Sequence, residues 1–318
     1  MASGPSNPRP ADDRAKPRPN LSSGDALEAL RKLSQVRWAG RAIGAGIAAA
    51  RDAVARVLIR VGVTPNALTL VGFAITCGAA YCLARGAGQQ VPYFHYVRAG
   101  PVGWWPIWTL ALLFLAAACD MLDGAVARLG NLKTRSGAIL DSTVDRFSDM
   151  ALYIGCLLYF ALHDPPNITY QLLAVLSLCS AVLISYIKAR AENVIEDCTV
   201  GFWLRGERFA GLMIACSCGH VSTYLWQMSI SCMFTVWRRI SYAYRVLSAE
   251  DRGRPLPPRG PAPGWFGTFQ WWRYPRGSTA HDVVTGAHIL FIIIAPCIWP
   301  SLMAVGAWGD PLRRWLGW

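Results

Sequence analysis

Residues 120–146 read DMLDGAVARLGNLKTRSGAILDSTVDR. Four aspartates, Asp120, Asp123, Asp141 and Asp145, stand where two very apolar segments should leave and re-enter a membrane. Carboxylates are expensive there and call for a reason. Asp120 and Asp123 are three apart and Asp141 and Asp145 four apart, so each pair shares a helix face. A turn between the pairs would bring them together, and facing carboxylates repel unless cations lie between them. Ligands that are all oxygen favour Mg²⁺ or Mn²⁺ over zinc. Such ions bind diphosphate oxygens and stabilise charge on a leaving phosphate, so the stretch implies phosphoryl transfer at a lipid surface. Gly124 and Ala127 are small enough to leave room for a base or sugar, Arg128 can pair with phosphate, and Gly137 permits close approach. A plainer reading makes the acids loop charges balanced by Arg128, Lys133, Arg135 and Arg146. That reading suits one aspartate and not four at this spacing.

Working outward, the chain of 318 residues is 53% hydrophobic and only 16% charged, too apolar for an ordinary soluble domain. Several apolar runs approach the ~20 residues of a bilayer-spanning helix. The net charge of +12 would suggest nucleic acid in a soluble protein. In a membrane protein it implies positive-inside topology and attraction to anionic headgroups, so no nucleic-acid partner is expected. The ten cysteines show no zinc or redox spacing and read as small core residues.

Residues 1–24, rich in proline, serine and charge and without a signal-peptide apolar stretch, read as a disordered tail. Asp25 can cap a basic amphipathic helix over 25–61 that lies on the cytoplasmic face, interrupted by Gly40, Gly44 and Gly46. Thr64-Pro65-Asn66 is a helix start. The spacing then predicts helices to about Leu83, from Pro106 to near Asp123, from Gly137 to Leu162, and from Tyr170 to Arg190. Phe209 to Trp237 contains no Lys, Arg, Asp or Glu. One long helix there would place the following arginine-rich segment outside, so two short helices turning near Gly219 and His220 are expected. Residues 248–281 read as a Pro/Gly/Arg/Trp-rich insert. Residues 282–318 read as a further membrane helix over Val283–Val305 with a tail whose Arg313, Arg314 and tryptophans suit an interface.

The pattern Asp120-x2-Asp123-Gly124-x2-Ala127-Arg128-x8-Gly137-x3-Asp141-x3-Asp145 resembles the signature of the CDP-alcohol phosphatidyltransferase family at every fixed position. The resemblance spans about residues 47–245. It implies an all-α, polytopic membrane protein with a six-helix core over 62–247, here preceded by the surface helix and followed by an extra spanning helix. It implies a homodimer in the cytoplasmic membrane with its site open to the cytoplasm. It also implies metal on Asp120, Asp123, Asp141 and Asp145, with Asp145 as general base. The CDP group would lie on Asp120, Asp123, Gly124, Ala127, Arg128, Gly137 and Asn66.

The acceptor is read from SYIKARAE at 185–192 and Arg205-Gly206-Glu207-Arg208. Cations at the cytoplasmic mouth suit an acceptor that carries phosphate. These segments resemble the phosphatidylinositol phosphate synthase branch, departing from it at Gly206, where the branch usually has proline. The resemblance implies that Ser185, Lys188 and Arg208, with Arg239 as a further candidate, bind the phosphate of inositol 1-phosphate. The expected reaction moves a phosphatidyl group from CDP-diacylglycerol to inositol 1-phosphate. Glycerol 3-phosphate, inositol or serine as acceptor is the alternative. A non-catalytic sensor of anionic lipid would not require metal ligands, and a transporter would carry its acids mid-membrane rather than at the edge.

Overall fold

The computed structural model describes residues 44–89, 91–93, 101–163, 167–255, 274, 276 and 278–299. The expected tail, the Asp25 cap, Gly40, most of the 248–281 insert, and Arg313 and Arg314 lie outside the described residues. Val54–Trp318 form one compact unit; of a second, Met1–Ala53, the described residues 44–53 are helical. The elements are helices: α1 over residues 44–60, α2 Pro65–Arg85, α3 Trp105–Leu129, α4 Arg135–His163, α5 Ile168–Ala191, α6 Arg205–Cys218, α7 Val221–Asp251 and α8 Thr279–Ile298. Among them α2, α3, α5 and α8 are long and apolar enough to cross a bilayer. The protein is an all-α polytopic membrane protein.

Local chemistry sets the helix ends. Thr64 Oγ1 accepts from the Ala67 N–H at 3.3 Å, and Pro65 opens α2. Gly219, at φ +73°, caps α6 in the left-handed region and turns the chain straight into α7, so the expected hairpin is present. Its second arm is not short. Neither Gly nor Pro follows until Gly253, and α7 runs for 31 residues, carrying Arg238, Arg239 and Arg245 with it. α3 likewise continues past Asp123 to Leu129 and stops only at Gly130 and Asn131, the latter at φ +52°. Gly46 lies within α1 and does not interrupt it, since one glycine costs only about 1 kcal/mol against helix-forming neighbours, and Gly44 is the first described residue of that helix. The last helix begins at Thr279 rather than Val283, because the Ser278 side chain accepts from the His281 N–H at 3.3 Å.

α2 packs against α3 and α4, α4 against α5, and α5 against α7. The main core cluster joins them through residues such as Leu113, Phe160, Tyr170, Ile184, Leu225 and Met228. Phe160 and Tyr170 stack at 4.8 Å, and the buried Tyr153 and Tyr224 hydroxyls share a hydrogen bond of 3.1 Å. Large apolar side chains such as Phe114, Ile154, Leu176 and Phe234 are exposed on the bundle's outside, the arrangement expected of a lipid-facing surface. Six cysteines are buried as expected, but Cys77, Cys179 and Cys297 are exposed and Cys218 is half-buried. Those three belong to the outer surface, where a small apolar thiol is tolerated.

Close helix approach rests on small residues. A Cβ at Gly155 of α4 would stand 2.9–3.0 Å from the backbone oxygen, Cα and Cβ of Ala80 in α2. Gly155→Val should therefore push α4 off α2. The expected result is a loss of about 1–3 kcal/mol of stability, read as a lower thermal midpoint in detergent, with the outward-facing Leu158→Val as an unchanged control.

Candidate active site

The packing of α2, α3 and α4 brings the two aspartate pairs to one end of the bundle. Asp120 of α3 and Asp141 and Asp145 of α4 each offer one carboxylate oxygen, and these oxygens all lie within 4.8 Å of one another. Ligands on opposite sides of an octahedral Mg²⁺ stand about 4.2 Å apart, so the set fits a hard divalent ion in size and in donor type. Asp123 stands apart from this trio. It is buried one helical turn along α3, and its Oδ2 accepts from Thr69 Oγ1 of α2 at 2.8 Å. It still lines the same cavity, of about 550 Å³, together with Asp120, Gly124, Asp141 and Asp145. The cavity continues along Gly72, Phe73, Ala117, Met121 and Met213, which give it a largely apolar flank.

A cation already sits among the acids. Arg205, the first residue of α6, reaches Asp120 Oδ1 at 2.5 Å and Asp145 Oδ1 at 2.7 Å with the same Nη1. Its Nε lies 4.0 Å from Asp149 Oδ1. One turn on, Arg208 forms a charge-paired hydrogen bond with Asp149 and donates to the Trp203 carbonyl at 3.3 Å. Arg208 is 2% exposed and Asp149 8%, so the pair lies out of solvent.

The acceptor residues expected from sequence converge on a second cavity of about 410 Å³. Ser185 and Lys188 of α5, Arg208 of α6 and Arg239 of α7 all line it, joined by Arg146 and Arg205. Arg239 is 1% exposed. Its Nε donates to Val200 O at 2.9 Å and its Nη1 to Ile184 O, while its buried Nη2 has no hydrogen-bond partner among the described residues. A buried guanidinium donor left open in this way suits an anion. Lys188 pairs with Glu192 at 3.7 Å across one turn. Arg205 and Gly206 line both cavities and form the partition between them.

The expected nucleotide residues divide. Asp120, Asp123 and Gly124 line the acidic cavity; Ala127, Arg128, Asn66 and Gly137 lie outside its lining. Gly137 and Asn66 do meet, since a Cβ at Gly137 would come within 3.2 Å of Asn66 Oδ1. Arg128 folds back toward Gly124, where an added Cβ would stand 3.2 Å from its Nη1. Thr69, Arg146, Asp149 and Arg205 are not among the catalytic, metal, nucleotide or acceptor residues expected from the sequence. Asp149 was findable, because Asp141, Asp145 and Asp149 continue one row at four-residue steps.

A family profile described as CDP-alcohol phosphatidyltransferase matches residues 62–237. The chain belongs to the CDP-alcohol phosphatidyltransferase family. The phosphatidylinositol phosphate synthase of Corynebacterium glutamicum is 32% identical over 208 residues, covering 63% of this chain and 86% of that protein. The enzyme of the same name from Mycobacterium tuberculosis is 33% identical over 217 residues, covering 63% and 88%. An archaetidylinositol phosphate synthase from Methanothermobacter thermautotrophicus is 30% identical over 195 residues, covering 59% and 87%. The crystal structure of the Mycobacterium tuberculosis enzyme with CDP-DAG bound superposes with a TM-score of 0.51 at 28% identity, over 61% of this chain and 93% of that one. The protein is thus a phosphatidyltransferase, and the transferase profile stops within α7, before α8.

In this phosphatidyltransferase the Asp149–Arg208 pair supports the floor of the second cavity. Removing one partner of a buried pair leaves an uncompensated charge and costs about 3–5 kcal/mol. Asp149→Asn should therefore lower the thermal midpoint markedly. Glu192→Gln, which breaks only the half-exposed pair with Lys188, should shift it little.

Proposed function

We propose that this enzyme transfers the phosphatidyl group of CDP-diacylglycerol to inositol 1-phosphate, releasing CMP and phosphatidylinositol phosphate. The observation that carries this reading is the pairing of two unlike cavities across one partition. One is acidic and apolar-flanked. The other is cationic, with the buried, incompletely satisfied guanidinium of Arg239 facing it. The first suits a diphosphate reached through cations, with a lipid chain along its flank; the second suits a phosphate that is not transferred.

Asp120, Asp141 and Asp145, with Asp123 beside them, would hold Mg²⁺ or Mn²⁺. Bound there, a divalent ion supplies charge neutralisation for the diphosphate and for the leaving CMP. The residues do the rest. Ser185, Lys188, Arg208 and Arg239 grip the acceptor phosphate and so aim its hydroxyl across the partition. Asp145 takes the hydroxyl proton as the oxygen forms its bond to the phosphorus bearing the lipid. The bond from that phosphorus to the CMP oxygen breaks, and CMP leaves with the electron pair. Both substrates are held at once, so no covalent enzyme intermediate is needed. Gly124, with Asn66, Ala127, Arg128 and Gly137 around the helix ends, would seat the nucleotide. Arg205 neutralises Asp120 and Asp145 when no other cation is present.

The same end of the bundle carries Arg128, Arg135, Lys188, Arg190, Arg205 and Arg208. By the positive-inside rule this charge supports a reading in which that end faces the cytoplasm and the site opens at the inner face of the cytoplasmic membrane. A homodimer belongs to the same proposal, on the resemblance alone.

Two measurements test the reading. CMP release from CDP-diacylglycerol, followed with inositol 1-phosphate, glycerol 3-phosphate, inositol and serine, should be fastest with inositol 1-phosphate; preference for another acceptor overturns the assignment. Asp145→Asn should lower kcat by roughly 10²–10⁴-fold while CDP-lipid still binds. Near-normal turnover would remove Asp145 from the role of base.

A further inference from the structure

The chain continues well beyond the family profile, which ends at residue 237, and that continuation returns to the active site. α8 is fastened to α6, α7 and the segment before α6. His220 Nδ1 lies 2.9 Å from Ile292 O, and Gln227 Nε2 lies 2.7 Å from His288 Nδ1. The His288 ring packs on Phe202 at 4.9 Å and on Trp203 at 4.7 Å. Ahead of α8, Tyr274 packs against the main core cluster. Two residues later Arg276 lines the cationic cavity beside Lys188, Arg208 and Arg239.

Arg276 is held there by an acid of α6. Its Nε donates to Glu207 Oε1 at 3.0 Å, and its Nη2 lies 2.7 Å from the same oxygen. Glu207 is itself largely covered, its side chain 12% exposed against 63% for Arg276. One edge of the guanidinium is therefore anchored while the rest stays open to the cavity. Gly206 presents no side chain beneath it, and an added Cβ would stand 3.9 Å from Arg276 Nη2.

We propose that Arg276 is a specificity-determining residue for the acceptor, a phosphate-binding cation that the C-terminal extension supplies to a pocket otherwise built by the family core. The inference rests on the reading of the second cavity as the acceptor site. Its ligand is the phosphate monoester of a polyol. Lys188, Arg208 and Arg239 form the floor, and Arg276, fixed on Glu207, stands at the rim. A guanidinium anchored on one edge by Glu207 loses little freedom when its other edge meets phosphate oxygens, which favours a fork over a point charge at this position.

The experiment uses the full chain in lipid nanodiscs. Wild type, Arg276→Ala, Arg276→Lys and Glu207→Gln are compared for CMP release with the acceptor varied at saturating CDP-diacylglycerol and with CDP-diacylglycerol varied at saturating acceptor, and thermal midpoints are measured alongside. With inositol 1-phosphate, Arg276→Ala should raise the acceptor KM by about tenfold, the effect of one partly exposed charge-assisted contact. KM for CDP-diacylglycerol should stay within twofold and the thermal midpoint should be unchanged. Inorganic phosphate, as a competitor of the acceptor, should weaken by the same factor. Arg276→Lys should recover part of the loss, and Glu207→Gln should show a smaller rise in acceptor KM.

An acceptor KM and phosphate inhibition unaltered in Arg276→Ala would overturn the inference while leaving the proposed reaction intact. If wild type instead prefers glycerol 3-phosphate, the inositol assignment fails but the same comparison is made with that acceptor and the role of Arg276 stands or falls on it. A wild type that accepts only unphosphorylated alcohols overturns both. Should Arg276→Ala fail to fold, Arg276→Gln, which keeps the polar stem and removes the charge, is judged by the same two outcomes.

Discussion

Like charges forced together at the edge of a membrane must be answered by a cation, and the rest of this structure depends on that constraint. Asp120, Asp141 and Asp145 come within 4.8 Å because α3 and α4 both pack on α2. That packing is possible because Gly155 and Gly72 carry no side chain at the crossings, where a Cβ would meet Ala80 or Cys119 at 2.9–3.1 Å. Three carboxylates so placed lose stability unless positive charge lies between them. Arg205 meets this demand with two contacts from one nitrogen. The carboxylates thus already carry one protein cation between them, in an arrangement whose donor type and spacing fit a hard divalent ion.

Arg205 also explains how the two halves of the site are related. It opens α6 at the partition between the acidic cavity and the cationic one, and lines both. From there the charges alternate: the aspartates of α3 and α4, Arg205, Asp149, then Arg208, with Arg239 beyond. Buried charges of one sign cannot be assembled in quantity, but alternating ones can, since each desolvated group keeps an opposite neighbour. The result is an acidic cavity and a cationic one on either side of Arg205 and Gly206, which suits the proposed pairing of a metal-held diphosphate with a phosphate held by cations. The proposed transfer to a phosphorylated acceptor needs both, and needs them adjacent, because such catalysis is positioning and charge stabilisation rather than covalent chemistry.

Much of this was legible in the residues. The aspartate spacing placed two pairs on helix faces, Thr64-Pro65 marked the start of α2, and the charge asymmetry around Phe209–Trp237 called for the turn that Gly219 provides. Ser185, Lys188, Arg208 and Arg239, which the resemblance to the phosphatidylinositol phosphate synthase branch singled out, line one cavity. Less was legible where no local signal marks an end: α3 runs on past Asp123 and α7 past Trp237, since helices stop at breakers and not where hydrophobicity fades. Asp123 also behaves differently from its three companions. Its spacing suits a shared ion, but Thr69 on a neighbouring helix holds its oxygen, a long-range contact that spacing along one helix cannot show. Arg276 is the extreme case. It lies in a stretch of Pro, Gly, Arg and Trp without periodicity, and only tertiary packing of α8 and Tyr274 brings it to the cavity.

The proposed chemistry depends on Asp120, Asp141 and Asp145 binding a divalent ion together. A Mn²⁺ titration of the purified full-length protein, followed by loss of the free-ion electron paramagnetic resonance signal, reads this without any substrate. Wild type should deplete free Mn²⁺, and Asp141→Asn should weaken that binding by roughly a hundredfold, as expected when a carboxylate ligand is lost from a site whose supporting contacts alone are worth 10–100-fold. Equal Mn²⁺ binding by wild type and Asp141→Asn would contradict the shared-ion cage and the chemistry built on it.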